Sequence, residues 1–538
     1  MLGPGYSATV VRMPTLTFLG HAGLAIDAED FRLLADPWFA RTGAFLGSWH
    51  QFPRNDHLDT GELLDADWVA VSHEHLDHMD LSVLSRLPDR TRVLIPRYPS
   101  SAFRDRLRAG GVHRVIELEP WQRFPLDTRG SWITAIPEQS PMCNDAAFLI
   151  VADGHAVLDC NDARLTAAQA RRAKHLAGGR LDVMAVQTSG ASWHPICYSY
   201  PPDVRAQIEL DKRIGKFRAV FRLVRAVEPD LAVPFAGPPC FLDPALRHFN
   251  ASLRAPGIFP DAEQATQWLR EHLPGQDWAA FRPGDRLDLA TGERTADPVS
   301  AAFSYTEGVE EYLDRYAADR AGPLAEVHAA AGAPGSDLAQ RFRAHFTQLG
   351  TLSPYFLTRI GMTVRFEVTG PFGGDWDVRM DADGLTVDLA GRATAPEYTF
   401  TVAGHWLGAV LAGQIAWEDL LLSLRLTARR SPDRYNDYLI GLLKHANAPA
   451  LAAIEAYETG RDTDERIVVE AGSGSYEISR YCPHAGEDLA VGAIVEGDQL
   501  RCLGHNFAFD LTTGECVNAR CEPLATRPMA TDATAVTG

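Results

Sequence analysis

No run of about eighteen consecutive apolar residues occurs in the 538-residue chain, which excludes an ordinary transmembrane helix. Basic residues are also in short supply: 51 Lys and Arg face 70 Asp and Glu, a formal charge of −19. That balance excludes the broad positive footprint of a nucleic-acid or anionic-membrane binder, yet leaves room for one basic pocket around an anionic substrate. Cysteine is sparse, with Cys143, Cys160, Cys197, Cys240, Cys482, Cys502, Cys516 and Cys521. Two belong to a motif described below, and the rest form no dense extracellular framework, so a reducing cytoplasm is the expected location. Residues 1–11 lack both the basic and the apolar segments of a secretory signal, and none is expected there. Internal repeats and low-complexity tracts are missing too. With 46% hydrophobic and 22% charged residues the composition is that of a soluble globular protein, and the length calls for about three domains.

What the chain does contain is hydrophobic patterning of two kinds. Short apolar runs at residues 15–19, 23–26, 31–35, 67–72, 92–96, 132–136, 147–151, 156–159 and 182–187 read as strands. Helical spacing appears at 167–177 and at 206–227, where Ile208, Ile214, Phe217, Phe221 and Val224 recur. Strands alternating with helices predict a layered α/β core. Beyond about residue 250 the pattern turns helical and alanine-rich, with Pro/Gly breaks at 256–260 and 333–335. Strands at 363–369, 384–389 and 398–402, with helices or packed turns at 406–411 and 417–424, predict an α+β unit. A polar stretch at 462–465 reads as a linker, and 531–538 as a frayed tail. The expected division is 13–255, a helical insertion or connector at 256–345, the α+β unit at 346–460, and a small C-terminal domain at 465–530.

Two metal-binding patterns lie near opposite ends. His73-Glu74-His75-Leu76-Asp77-His78 follows the strand predicted at 67–72. Imidazole is the commonest protein metal ligand, and a nearby carboxylate lowers the charge of a shared site; in this spacing His73 and His75 reach one cation, Asp77 and His78 a second. A solvated histidine-rich loop is the competing reading, and the strand directly ahead argues against it. Near the C-terminus, Cys482-Pro483-His484 is followed after seventeen residues by Cys502-Leu503-Gly504-His505. One thiolate and one imidazole from each loop are the ligands of a Rieske [2Fe–2S] cluster, whose neutral imidazoles raise its potential to about −150 to +300 mV. A structural zinc site would use the same residue types. The ligand order favours the cluster, as do Phe507-Ala508-Phe509-Asp510 and Thr513-Gly514-Glu515 after it. Cys516 and Cys521 read as buried thiols. An electron carrier joined to a dinuclear site points to redox chemistry rather than hydrolysis.

The first motif resembles the metallo-β-lactamase-fold superfamily, as do Gly20-His21-Ala22-Gly23, Asp36-Pro37-Trp38, and Asp162 after the 156–159 strand. The resemblance implies an αββα fold and makes Asp162 the carboxylate between two metals. It also puts Glu138, in Thr134-Ala135-Ile136-Pro137-Glu138-Gln139-Ser140, where the hydrolases usually place a histidine. The usual last histidine is missing from Val233-Pro234-Phe235-Ala236-Gly237-Pro238, which leaves His194 as the available substitute. His21 is expected near the pocket rather than on a metal, and His113, His155 and His175 as ordinary surface or loop residues. A carboxylate at position 138 makes a harder ligand set, suited to iron.

Both modules together resemble the CMP-N-acetylneuraminate hydroxylase family. Asp159-Cys160-Asn161-Asp162, Ser189-Gly190-Ala191, Trp417-Glu418-Asp419-Leu420 and Arg430-Ser431-Pro432-Asp433 add to the likeness. The Rieske domain leads the chain in that family and ends it here, so architecture and reaction class carry over but the sialic-acid substrate does not. Glu138 also makes the site similar to the diiron β-hydroxylase of chloramphenicol biosynthesis, and residues 398–424 resemble sterol-carrier-like domains, read here as a docking unit.

These resemblances imply an α/β multidomain enzyme: a metallo-β-lactamase-like αββα domain, a middle α+β domain and a small all-β Rieske domain. The implied activity is a diiron monooxygenase, hydroxylase or N-oxygenase, acting on a small metabolite with O2 as co-substrate. His73, His75 and Glu138 would hold one iron, Asp77 and His78 the other, and Asp162 both. Glu138 and Asp162 would be catalytic, and Cys482, His484, Cys502 and His505 would hold the cluster that relays electrons from an external ferredoxin or reductase. Two other readings stay open: a dinuclear zinc hydrolase with an accessory Rieske domain, and an O2-reducing electron-transfer protein. The substrate, the electron donor and any homo-oligomeric state are not legible; no nucleic-acid or membrane partner is expected.

Overall fold

The computed structural model describes residues 14–190, 192–255, 257–461 and 464–529. The segment read for a secretory signal and the tail at 531–538 lie outside the described residues, as do Ala191, Pro256 and two residues of the 462–465 linker.

Each short apolar run of the first 190 residues becomes a strand, and the strands form two sheets. An eight-stranded sheet runs in the order Arg294–Thr295, Arg286–Asp288, Thr15–Gly20, Gly23–Asp27, Arg32–Ala35, Trp68–Ala70, Arg92–Pro96, Val115–Leu118. A six-stranded sheet runs Leu231–Phe235, Val183–Gln187, His155–Asp159, Ala146–Ala152, Trp132–Pro137, Phe124–Pro125. Phe18, Leu24, Leu33 and Leu94 of the first share a buried cluster with Ile133, Phe148, Val157 and Phe235 of the second. Continuous apolar runs are needed because both faces of each sheet are covered. The outer faces pack under Ala102–Ala109 on one side, and under Ala167–Leu176 and Pro202–Val227 on the other. The layering is αββα.

The first sheet draws on sequence well past residue 255. Arg286–Asp288 pairs antiparallel with Thr15–Gly20, Thr15 opposite Asp288, and Leu269 of Ala262–His272 packs against the second sheet. The stretch expected as a helical connector therefore completes the αββα unit in part. A strand of three residues with one apolar side chain, Leu287, carries too little alternation to be read in advance.

The middle unit is a five-stranded sheet in the order Gly384–Asp388, Gly374–Asp381, Met362–Thr369, Tyr398–Ala403, Leu426–Arg430. Alternation puts Val364, Phe366 and Val368 in one core with Phe342 and Phe346 of the helix Leu338–Leu349. That core crosses into the first unit, taking in Trp49, Phe241 and Phe259. The buried Ser48 and Trp49 side chains donate to the carbonyls of Ser423 at 2.5 Å and Leu422 at 2.8 Å.

The C-terminal unit holds two three-stranded sheets, Arg466–Ala471, Gly474–Ser479, Thr526–Pro528 and Ala493–Glu496, Gln499–Cys502, Ala508–Asp510, around Ile478, Leu500, Phe509 and Leu511. Tyr435–Asn436 pairs with Ala519–Arg520, tying it to the middle unit. The helix Pro202–Val227 ties it to the first: Arg222 pairs with Glu487, and a Cβ at Gly215 would meet the Asn506 amide at 2.5 Å. No helix of the described residues is long and apolar enough to cross a membrane.

Because one core runs through the first and middle units, Phe342→Ala should destabilise the protein by about 3–5 kcal/mol. Its ring is fully buried between Phe346, Phe366 and Trp376. Urea titration should show one transition, shifted to a lower midpoint. Two separated transitions in tryptophan fluorescence would show that the units unfold independently.

Candidate dinuclear metal centre and facing cluster site

The candidate metal ligands lie at one end of the two sheets, on loops that leave or enter strands. His21 follows Thr15–Gly20, Asp36 follows Arg32–Ala35, residues 73–78 follow Trp68–Ala70, Asp145 precedes Ala146–Ala152, and Asp162 follows His155–Asp159. His21 takes a left-handed backbone, φ 51°, directly after Gly20 at φ 102°. Its carbonyl accepts the Ala236 N–H at 3.0 Å, which anchors this unusual turn to the second sheet.

The side chains resolve into two groups that share Asp162. In one, His73 Nε2 is 2.7 Å from His75 Nδ1 and 3.7 Å from Asp145 Oδ1. In the other, His78 Nε2 is 3.6 Å from Asp162 Oδ1 and 4.0 Å from Asp77 Oδ2, while His21 Nε2 is 2.9 Å from Asp77 Oδ2. His78 Nε2, Asp77 Oδ1, Asp145 Oδ1, Asp162 Oδ1 and His21 Nδ1 are buried without a hydrogen-bond partner. Among the described residues, the ion pairs of Asp77, Asp145 and Asp162 involve histidines alone. Buried charge without compensation costs several kcal/mol per ion. Two cations, one in each group, would give these atoms partners, so the residues fit a dinuclear centre.

The remaining ring nitrogens are anchored from outside. His73 Nδ1 lies 2.9 Å from Ser72 Oγ, and His78 Nδ1 lies 2.8 Å from Asp36 Oδ2. Asp36 is itself held by the Ser72 N–H and hydroxyl, at 2.8 and 2.5 Å. His75 Nε2 is 3.2 Å from Glu418 Oε1, and Glu418 is held by Lys444 Nζ at 3.0 Å. Partners of this kind fix a ligating ring's tautomer and orientation. Burial, with His78 and His75 nearby, pushes His73 well below its usual value of 6.5, leaving it a neutral ligand. Burial opposes protonation of His78 as well, yet Asp162, Asp77 and Asp36 hold it well above 6.5. The carboxylates draw positive charge to that spot. Glu418 comes from Trp417–Leu422 and Lys444 from Asp437–His445, so the middle unit reaches the site and does more than dock.

Two expected ligands stand elsewhere. Glu138 groups with Cys143 and His505. Its Oε1 accepts the Arg164 N–H at 2.7 Å, and its Oε2 is 3.7 Å from His505 Nε2. The reason is local: the Glu138 N–H pairs with the Asp145 carbonyl at 3.0 Å, and it is the Asp145 side chain, across that hairpin, that meets His73. His194 lies 3.1 Å from Tyr200 Oη, 3.0 Å from Arg430 Nη2 and 3.4 Å from Lys212 Nζ. Between two cationic side chains it is poorly placed to receive a third positive charge. His21, expected near the pocket, stands within the second group instead. The signal for it was available in Gly20-His21-Ala22-Gly23; for Asp145 there was none, since its reach depends on the hairpin.

The cluster motif forms the tip of the C-terminal unit. The Cys482 N–H donates to the Glu487 carbonyl at 2.8 Å and the Cys502 N–H to the Phe507 carbonyl at 2.9 Å, closing two turns. Both thiols are buried, the His484 and His505 rings are 4.6 Å apart, and His484 Nδ1 is buried without a partner. Two sulfurs and two imidazoles converge, which fits a [2Fe–2S] cluster. Asn506 takes φ 61°, a left-handed conformation that asparagine tolerates. The tip is covered: His484 Nε2 is 3.3 Å from Asp437 Oδ2, at the start of Asp437–His445, and His505 faces Glu138. A cleft of about 720 Å³ lined by Tyr98, Trp121, Glu138 and Cys143 opens alongside.

Known proteins share this arrangement in parts. A Rieske [2Fe-2S] domain family matches residues 453–528, and a beta-lactamase superfamily domain matches residues 15–193. The chain is 31% identical over 543 residues to a Rieske 2Fe-2S iron-sulfur protein of Mycobacterium tuberculosis, covering 95% of this chain and 100% of that protein. It is 25% identical over 443 residues to the cytidine monophosphate-N-acetylneuraminic acid hydroxylase of Cricetulus griseus, covering 78% and 73%. A diiron beta-hydroxylase from Streptomyces venezuelae aligns with 53% of this chain and 54% of its own, at 17% identity and a TM-score of 0.36.

Asp162→Asn should release metal from both groups, whereas Glu138→Gln should keep the full complement. Glu418→Gln should weaken binding at the His73/His75 group by about 10–100-fold. Elemental analysis with chelator competition measures all three. Loss of one metal equivalent in Glu138→Gln would return that residue to the ligand set.

Proposed function

From its membership in the family of the mycobacterial Rieske 2Fe-2S iron-sulfur proteins, to which this chain belongs, we propose that it is a Rieske-dependent diiron monooxygenase. It would hydroxylate or N-oxygenate a small metabolite with O2. The chain combines a Rieske domain with a metallo-β-lactamase-like domain and is related to a hydroxylase.

The observation that carries this reading is the contact between the two sites. His505 Nε2 lies 3.7 Å from Glu138 Oε2. The other Glu138 oxygen accepts the Arg164 N–H, two residues after Asp162, and the Glu138 N–H donates to the Asp145 carbonyl. One residue thus joins a cluster histidine to two loops of the dinuclear centre, its carboxylate to one and its backbone N–H to the other. When bound, the cluster supplies single electrons taken from an external ferredoxin or reductase, and the iron pair supplies O2 activation.

The chain's own residues then have distinct tasks. Asp162 holds the two groups together, while Asp36 and Glu418 orient His78 and His75. Asp145 takes the part expected of Glu138, a carboxylate that hardens the His73/His75 group toward iron. Glu138 positions His505 between the Arg164 and Asp145 backbones. A zinc hydrolase would leave this approach of His505 without use. An O2 reductase would use it, and differs in forming no oxygenated organic product.

Metal and sulfide analysis should find about four irons per chain, two at each site, and ¹⁸O2 should label an organic product. About two zinc ions in place of the dinuclear iron would sink the diiron assignment. Cys482→Ser should lose multiple turnover with the native reductant yet keep a single turnover once the dinuclear site is chemically reduced. Full multiple turnover in that variant would take the cluster off the catalytic path.

A further inference from the structure

This acidic chain keeps one basic cluster beside its metal loops. Lys212 and Lys216 stand about one turn apart on Pro202–Val227, half-buried. Lys216 Nζ donates to the carbonyls of Ser189 at 2.6 Å and Gly190 at 2.9 Å. Lys212 Nζ donates to the His194 carbonyl at 2.8 Å and the Ser192 hydroxyl at 3.0 Å, with a longer 3.4 Å contact to His194 Nδ1. An ammonium group has three N–H donors, so Lys216 keeps one uncommitted and Lys212 spends its third on a weak contact.

None of these acceptors is charged. Among the described residues no carboxylate forms an ion pair with Lys212, Lys216 or Arg164. Arg430 pairs with Asp433, yet its Nη1 is buried without a partner, and so is the Ser189 hydroxyl oxygen. Burial, then the charge of Arg164 and Arg430, pulls Lys212 down to about 7. Burial, Arg164 and Lys212 pull Lys216 well below 10.5, against the opposing attraction of Asp162. Arg164 follows Asp162 by two residues, which puts the cluster beside the dinuclear centre. The protonated lysines lack a counter-charge here, and the group that would supply it is an anion.

We propose that Lys212, Lys216 and Arg164, with Arg430 and the Ser189 hydroxyl beside them, bind an anionic group of the substrate, a carboxylate or a phosphate. Held by that end, the substrate presents its remainder to the dinuclear centre. Arg fork and lysine point charges suit both oxyanions. The proposal deepens the oxygenase reading by naming the substrate's charge, and rests on it only for calling the ligand a substrate.

The test is calorimetric titration of the holoenzyme with inorganic phosphate and, separately, with acetate. One saturable site is expected. Lys216→Met and Arg164→Gln should each weaken it by about tenfold or more, the size of a lost charge-assisted hydrogen bond. Iron content and the Rieske absorption should be unchanged. Arg164 is exposed, so its replacement leaves packing intact, and Lys216→Arg should retain binding, which separates charge from folding. Binding of acetate alone assigns a carboxylate, and of phosphate alone a phosphate. Absence of saturable binding by either anion would overturn the proposal. So would binding that Lys216→Met and Arg164→Gln leave unaltered, because the anion then sits on the metals. Anion binding needs no turnover, so failure of the oxygenase reading would be seen separately, in metal content and ¹⁸O labelling.

Discussion

Asp77, Asp145 and Asp162 are gathered beside His21, His73, His75 and His78 at one end of the sheets, and no lysine or arginine of the described chain pairs with them. Water screens charges held at that depth poorly, and cations among the loops would offset them. The surroundings follow from this constraint. Asp36 and Ser72 brace two of the rings, Glu418 braces a third, and Lys444 pairs with Glu418 while its charge also reaches Asp145. A lysine placed one layer closer would compete with the metals; placed where it is, it fixes the residue that fixes His75.

The middle unit takes part in this bracing. Its core continues into Trp49, Phe241 and Phe259 of the first unit, and its helices deliver Glu418 and Lys444 to the centre and Asp437 to the cluster tip. Two metal sites on separate domains are thereby held in one rigid frame. The close approach at Gly215 works the same way, since a side chain there would have to displace the Asn506 amide that packs against the helix.

Much of this was legible in the sequence wherever chemistry and spacing are local. The runs that became Trp68–Ala70 and His155–Asp159 read as strands because both faces of their sheets are buried, and the ligands at 73–78 and at 482–505 are close in sequence. What escaped depends on contacts between distant segments. Glu138 occupied the right position along the chain, but pairing of its N–H with the Asp145 carbonyl hands the metal-facing role to its hairpin neighbour. His194 was a reasonable substitute until Lys212 and Arg430, 18 and 236 residues away in sequence, closed around it. His21 needed its left-handed turn, and the basic cluster needed the helix Pro202–Val227 laid against residues 188–195. The sequence charge of −19 left room for such a cluster but could not locate it.

The helix Asp437–His445 touches both sites, with Asp437 on His484 and Lys444 on the glutamate that braces His75. Seven residues at 1.5 Å each separate these contacts, about 10 Å along the axis. The spacing of these two contacts is therefore written in helical pitch, as on a ruler with marks at both ends. An insertion or deletion of one residue would lengthen or shorten that ruler by about 1.5 Å but also rotate its far end by about 100°, swinging Lys444 off Glu418. The spacing of the two grips cannot drift by small steps: it changes only if both are rebuilt together.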